Sequence, residues 1–151
     1  MNSWTSTAQA NATPERLLEV LTHPRQIERW SPVAFDVEEL DSRRLAPGSR
    51  ARVSGRVAGV PVSFEVEVHA ADRERLELSA DGPVGFDVRY DLVPAGSGAE
   101  MTASVQVRDR GGFTSRMVAK AAATLLSAGA LDGAIGRIAR VAEGHPCGAA
   151  A

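Results

Sequence analysis

The chain is 151 residues long, 44% hydrophobic and 24% charged, with a formal net charge of −2. That is enough for one domain with its own core, and the charge excludes nucleic acid as a default partner, because phosphate binding needs a basic surface. A single cysteine, Cys147, excludes an intramolecular disulfide, and the most apolar stretch, Ala121–Leu131, has 11 residues against the roughly 20 of a membrane span.

The opening residues alternate Ser3, Thr5, Thr7 and Gln9 with Trp4, Ser6, Ala8 and Ala10, which predicts a strand with one polar face. They hold no charged stretch followed by an apolar run, so no secretory signal is expected and a cytoplasmic location is. Thr13-Pro14-Glu15 then starts a helix: threonine caps, proline fits the first turn, and glutamate complements the dipole. Leu17, Leu18, Val20 and Leu21 form its apolar stripe. His23-Pro24 ends it and opens a second short helix through Ile27 and Trp30, closed by Ser31-Pro32.

From Ala34 to Arg108 the period becomes two. A turn at Gly59-Val60 sets Val57, Gly55, Val53 and Ala51 opposite Val62, Phe64, Val66 and Val68, with Arg52 against Glu67 and Ser54 against Glu65 on the polar side. Next, Leu76, Leu78 and Ala80 pair with Val88, Phe86 and Val84 across an odd-length loop at Asp81-Gly82-Pro83. A further hairpin places Leu92, Tyr90, Val88 and Phe86 against Met101, Ala103, Val105 and Val107. Phe113 to about Glu143 reads as one long helix, with a stripe of Met117, Ala121, Leu125, Ala128, Leu131, Ile135, Ile138 and Ala142. Gly144 and Pro146 stop it, so residues 1–144 are expected to form one domain and 145–151 a flexible tail.

The order of strand, two short helices, about six meandering strands and one long helix defines an α+β fold. With Ala12-Thr13-Pro14-Glu15-Arg16, Leu21-Thr22-His23-Pro24, Trp30-Ser31-Pro32 and Pro47-Gly48-Ser49, it resembles the polyketide cyclase/dehydrase and lipid-transport group of the START-like (SRPBCC) superfamily. The resemblance runs from about Ser3 to Glu143 and rests on caps, turns and core positions. It implies a helix-grip fold: a curved antiparallel sheet of about seven strands wrapped around a long C-terminal helix, with an internal cavity. It also implies an apolar ligand such as a lipid or polyketide, and in some members cyclase or dehydratase chemistry.

The inward positions of the hairpins are apolar apart from Tyr90, the one residue there with a polar head. General acid–base chemistry needs a titratable group beside the reacting atom, so Tyr90 is the single, weak catalytic candidate. Ligand cavities are lined by apolar and aromatic groups with few polar anchors. The lining is expected from Trp30, Phe35, Phe64, Phe86, Val88, Tyr90, Met101, Met117, Ala121, Leu125, Gly129 and Gly133, with packed core as the competing role. Gly129, Gly133 and Gly136 inside a helix each cost about 1 kcal/mol relative to alanine. Either they allow close packing, or they bend the helix to admit a ligand.

Glu65, Glu67 and His69 share a strand face, but Arg50 and Arg52 stand opposite and would repel a cation. A solvated face is the expected role, and no metal or cofactor is expected. The expected function is binding of a small hydrophobic molecule by a monomer or homodimer, without nucleic acid or membrane insertion. An aromatic polyketide cyclase/dehydratase and a protein-interaction module are the alternatives.

Overall fold

The computed structural model describes residues 2–30, 35–40, 45–57, 60–109 and 111–144, with the backbone alone for 35–40 and for Asn2, Pro24, Glu28, Val57, Val60 and Asp109. Strand β1 (Asn2–Ala10) leads into helices α1 (Pro14–Thr22) and α2 (Pro24–Trp30). Six strands follow: β2 (Phe35–Leu40), β3 (Arg50–Val57), β4 (Val60–Ala71), β5 (Arg75–Asp81), β6 (Val84–Ala95) and β7 (Gly98–Asp109). Helices α3 (Phe113–Ser127) and α4 (Ala130–Ala142) complete the described elements. The strands form one antiparallel sheet of seven in the order β1-β7-β6-β5-β4-β3-β2. This is the α+β helix-grip layout: a meander whose far edge is closed by β1, with the helices on one face.

Alternation decides which face is covered. Trp4, Ser6, Ala8 and Ala10 of β1 stand opposite Val105, Ala103, Met101 and Ala99 of β7, and that face carries the core. The other face holds the charges. There Arg52 pairs with Glu65 at 2.8 Å and Arg108 with Asp87 at 2.8 Å, while Arg89 reaches Asp91 at 3.0 Å. Exposed pairs of this kind contribute little to stability, but they keep this face in water.

The β6–β7 register matches the alternation residue for residue, from Phe86↔Val107 to Leu92↔Met101. Two other registers are corrected by two residues each. Val53 faces Phe64 rather than Val66, and Arg52 faces Glu65 rather than Glu67, because the pairs run out to Val57↔Val60. Leu78 faces Val88 and Ala80 faces Phe86, beyond an odd-length loop that starts after Asp81↔Gly85. A slip of two leaves every side chain on its own face, so patterning cannot detect it. The stop at Ser31-Pro32, the Gly59 turn and the 145–151 tail lie outside the described residues.

Helix α1 begins as expected. The Thr13 hydroxyl accepts from the Arg16 N–H at 3.2 Å, Pro14 occupies the first turn, and Leu17, Val20 and Leu21 are sealed from solvent. His23, held extended ahead of Pro24, closes it.

The single long helix is not found. Gly129 takes φ +97°, a left-handed conformation that glycine adopts without steric cost, and the chain turns by 61° between α3 and α4. No single helix among the described residues is long and apolar enough to cross a membrane.

The two halves are held differently. In α4 the expected stripe is buried at Leu131, Ile135, Ile138 and Ala142. The Ser6 hydroxyl donates to Asp132 near its start, and Arg16 donates to the carbonyls of Ala142 and Val141 at its end, at 3.3 and 3.4 Å. In α3 the buried residues are Ser115, Val118 and Ala122, so the helix is rotated from the expected stripe, and Met117 and Leu125 are 41% and 44% exposed.

Nor do the α4 glycines pack closely on the sheet. A Cβ at Gly133 would meet only the Arg137 guanidinium, at 3.3 Å, and one at Gly136 only that of Arg140. Gly133→Ala should therefore raise the unfolding free energy by about 0.5–1 kcal/mol, read as a higher urea midpoint at unchanged slope.

Candidate functional site: the space bridged by α3

Helix α3 lies against β6 and β7 on one side and reaches β3 on the other, so it bridges β4 and β5. Beneath the bridge the inward side chains are not sealed. Val66 of β4, Leu78 and Ala80 of β5, and Phe86 and Val88 of β6 are half-buried, although all are apolar and lie across from one another in two rows. Further along the same strands, Val62, Phe64, Val68, Leu76, Tyr90 and Leu92 expose 6% or less. The floor is thus apolar and reached by water, with sealed residues further along the same strands.

Tyr90 marks one end of this floor. It exposes 6%, and its ring meets Trp30 edge-on, with centroids 6.4 Å apart at 76°. Trp30 is itself fixed: its Nε1 donates to the Val20 carbonyl and its own carbonyl accepts from Arg137 Nε, both at 3.0 Å. Burial raises the Tyr90 pKa above the ordinary tyrosine range, so the phenol stays neutral. Phe64 and Phe86 pack against each other at the opposite end, centroids 5.5 Å apart.

The predicted lining divides accordingly. Phe64, Phe86, Val88 and Tyr90 share the inward face of the sheet, Trp30 meets Tyr90 from the end of α2, and half-buried Ala121 lies on α3. Met117 and Leu125 occupy the exposed flank of α3, which also carries Phe113, 78% exposed. Met101 is fully sealed opposite Leu92 and Ala8, in the core rather than beside the floor. Gly129 is the break between the helices, and Gly133 lies on α4 beside Arg137. Phe35 stands opposite Gly55 in β2, but its side chain lies outside the described residues. Expectation missed Val118 and Ala122 as the face α3 presents to the core, although Ser115, Val118, Ala122 and Leu126 recur at three- and four-residue steps.

The carboxylate–histidine strand behaves as a solvated face. Glu65 is held by Arg52, and His69 sits in a bulge with Nε2 2.9 Å from the Ser79 hydroxyl. Among the described residues no three acidic, histidine or cysteine side chains converge as a metal site would require.

A family model described as polyketide cyclase/dehydrase and lipid transport matches residues 1–143. Among solved structures, a protein from Chromobacterium violaceum superposes with a TM-score of 0.70 at 17% identity, over 95% of this chain and 99% of that one. A START superfamily protein from Mycobacterium smegmatis gives a TM-score of 0.61 at 17% identity, over 92% and 98%. DynU16, from the dynemicin biosynthetic locus, gives 0.62 at 23% identity over 95% of this chain, which spans 48% of that protein. At these identities the likeness is one of fold. No curated protein sequence matches the chain significantly.

Proposed function

The chain belongs to the polyketide cyclase/dehydrase and lipid-transport family of the START-like superfamily, and from that premise we propose that it binds a small hydrophobic molecule, such as a lipid or polyketide, between α3 and the sheet. The observation that carries this reading is the half-buried apolar floor at Val66, Leu78, Ala80, Phe86 and Val88. Apolar side chains at the centre of a covered sheet would normally be sealed by the helix above them. Here the helix bridges the strands instead, and the uncovered area gives an apolar molecule something to bury. The absence of titratable pairs on the described part of this face supports binding over catalysis.

The test uses N-phenyl-1-naphthylamine, an uncharged dye that fluoresces in apolar surroundings. The wild type should enhance its emission saturably. Ala80→Trp, which fills the floor from its centre, should weaken binding more than tenfold while the circular dichroism spectrum is kept. Absence of saturable binding, or binding indifferent to a correctly folded Ala80→Trp variant, would sink the proposal.

A polyketide cyclase or dehydratase is the enzymatic reading of the same space. It is favoured by one observation, the neutral phenol of Tyr90 at the end of the floor. Turnover of a polyketide chain that is lost in Tyr90→Phe would establish it.

A further inference from the structure

The geometry points to a chemical class for the bound molecule, an inference that rests on the chamber proposed above: an uncharged, mainly apolar compound with one carbonyl-type oxygen seated on the Tyr90 hydroxyl. Tyr90 is 94% buried by its 6% exposure, yet its hydroxyl has no hydrogen-bond partner among the described residues. The sealed, unpartnered side-chain atoms among those residues are His23 Nδ1 and Gln26 Oε1. The phenol oxygen is not one of them, so the little surface Tyr90 exposes includes that oxygen. A hydroxyl that little water can reach and no described side chain engages is open to an acceptor on a ligand.

Three further features narrow the class. The phenol is positioned before any ligand arrives, because Trp30 braces it and is itself tied to Val20 and Arg137. Preorganised donors bind without an ordering cost. The other polar residue in that cross-strand row, Ser6, already donates to Asp132. Among the described side chains of β3 to β7, charges on the outer face pair as Arg52–Glu65, Arg75–Glu77, Arg89–Asp91 and Arg108–Asp87. A carboxylate or ammonium on the floor would lose hydration without meeting an opposite charge from the described inward side chains of β3 to β7.

Phe86, Val88 and Tyr90 are successive inward positions, so the floor runs roughly 13 Å along β6 to the phenol. A planar three-ring compound has about that length, which suggests a matched set. Fluorenone and fluorene differ only in the carbonyl, and fluorene-9-carboxylate adds a charge. Each would be used to displace N-phenyl-1-naphthylamine from the wild type and from Tyr90→Phe. Fluorenone should bind the wild type about tenfold more tightly than fluorene, and the carboxylate should not compete. In Tyr90→Phe the fluorenone affinity should fall to that of fluorene, with fluorene unchanged.

The infrared carbonyl band of wild-type-bound fluorenone should shift to lower frequency, a readout that needs no variant. Equal affinities in the wild type, an unshifted carbonyl band, or a preference that survives Tyr90→Phe would each overturn the inference. Loss of dye binding in the wild type would instead remove the chamber itself.

Discussion

Ile138→Ala is expected to lower the unfolding free energy by about 4 kcal/mol, within the usual 2–5 kcal/mol for deleting a sealed aliphatic side chain. Ile138 exposes no surface, on a helix that lies against β1, α1 and α2 at once. Collapse around the lost volume is hindered, because its buried neighbours on α4, Ala134 and Ala142, are small and cannot reach into a void. The helix is also tethered near both ends, by Asp132 to Ser6 and by its last carbonyls to Arg16. Urea unfolding followed by circular dichroism would read the loss. A change under about 1 kcal/mol would show that α4 does not carry the core.

Gly98→Ala is expected to cost about 3 kcal/mol, the opposite sign from the same substitution at Gly133. A Cβ at Gly98 would lie 2.1 Å from the Ala10 carbonyl oxygen and 3.2 Å from the Asn11 Cα. Both obstacles are backbone, so no side chain can swing aside. Relief requires moving the end of β1, and with it the Asn11 N–H that donates to Glu143 at 2.9 Å. The expected result is a lower melting temperature with accelerated amide exchange at Ala10 and Asn11. Unchanged exchange there would mean that the close approach relaxes elsewhere.

These contrasts show where sequence reasoning has reach. Alternation identifies faces reliably, and at β6–β7 it also finds the register, because the loop Ala95-Gly96-Ser97-Gly98 anchors one end. At Arg52 it finds the right kind of partner and the wrong residue, since Glu65 and Glu67 lie on the same face two positions apart. The α4 stripe is legible because Leu131, Ile135, Ile138 and Ala142 have one face to bury. In α3 nearly every position on two adjoining faces is apolar, so a stripe drawn through Met117 and Leu125 fits the period as well as one through Val118 and Ala122. Depth is a different quantity again. Val68 and Val88 are both inward valines, yet one is sealed and the other half-buried, a difference set by tertiary packing.

The same distinction explains what was legible of the candidate site. Tyr90 stands out by residue type alone, as a polar head in an apolar alternation. That its ring meets Trp30 edge-on, with no partner for its hydroxyl among the described residues, depends on tertiary packing, which no local pattern encodes.

The strand order also governs how the chain is assembled. Strands β2 to β7 each pair with a neighbour in the chain, and those hairpins can close as they leave the ribosome. Strand β1 cannot: its strand neighbour is β7, and Ala10 must wait for Ala99. Until then its backbone groups form an open edge, able to pair with another unfinished chain. Since α4 also lies against β1 in the finished fold, the first strand gains both of these neighbours only from the last third of the chain.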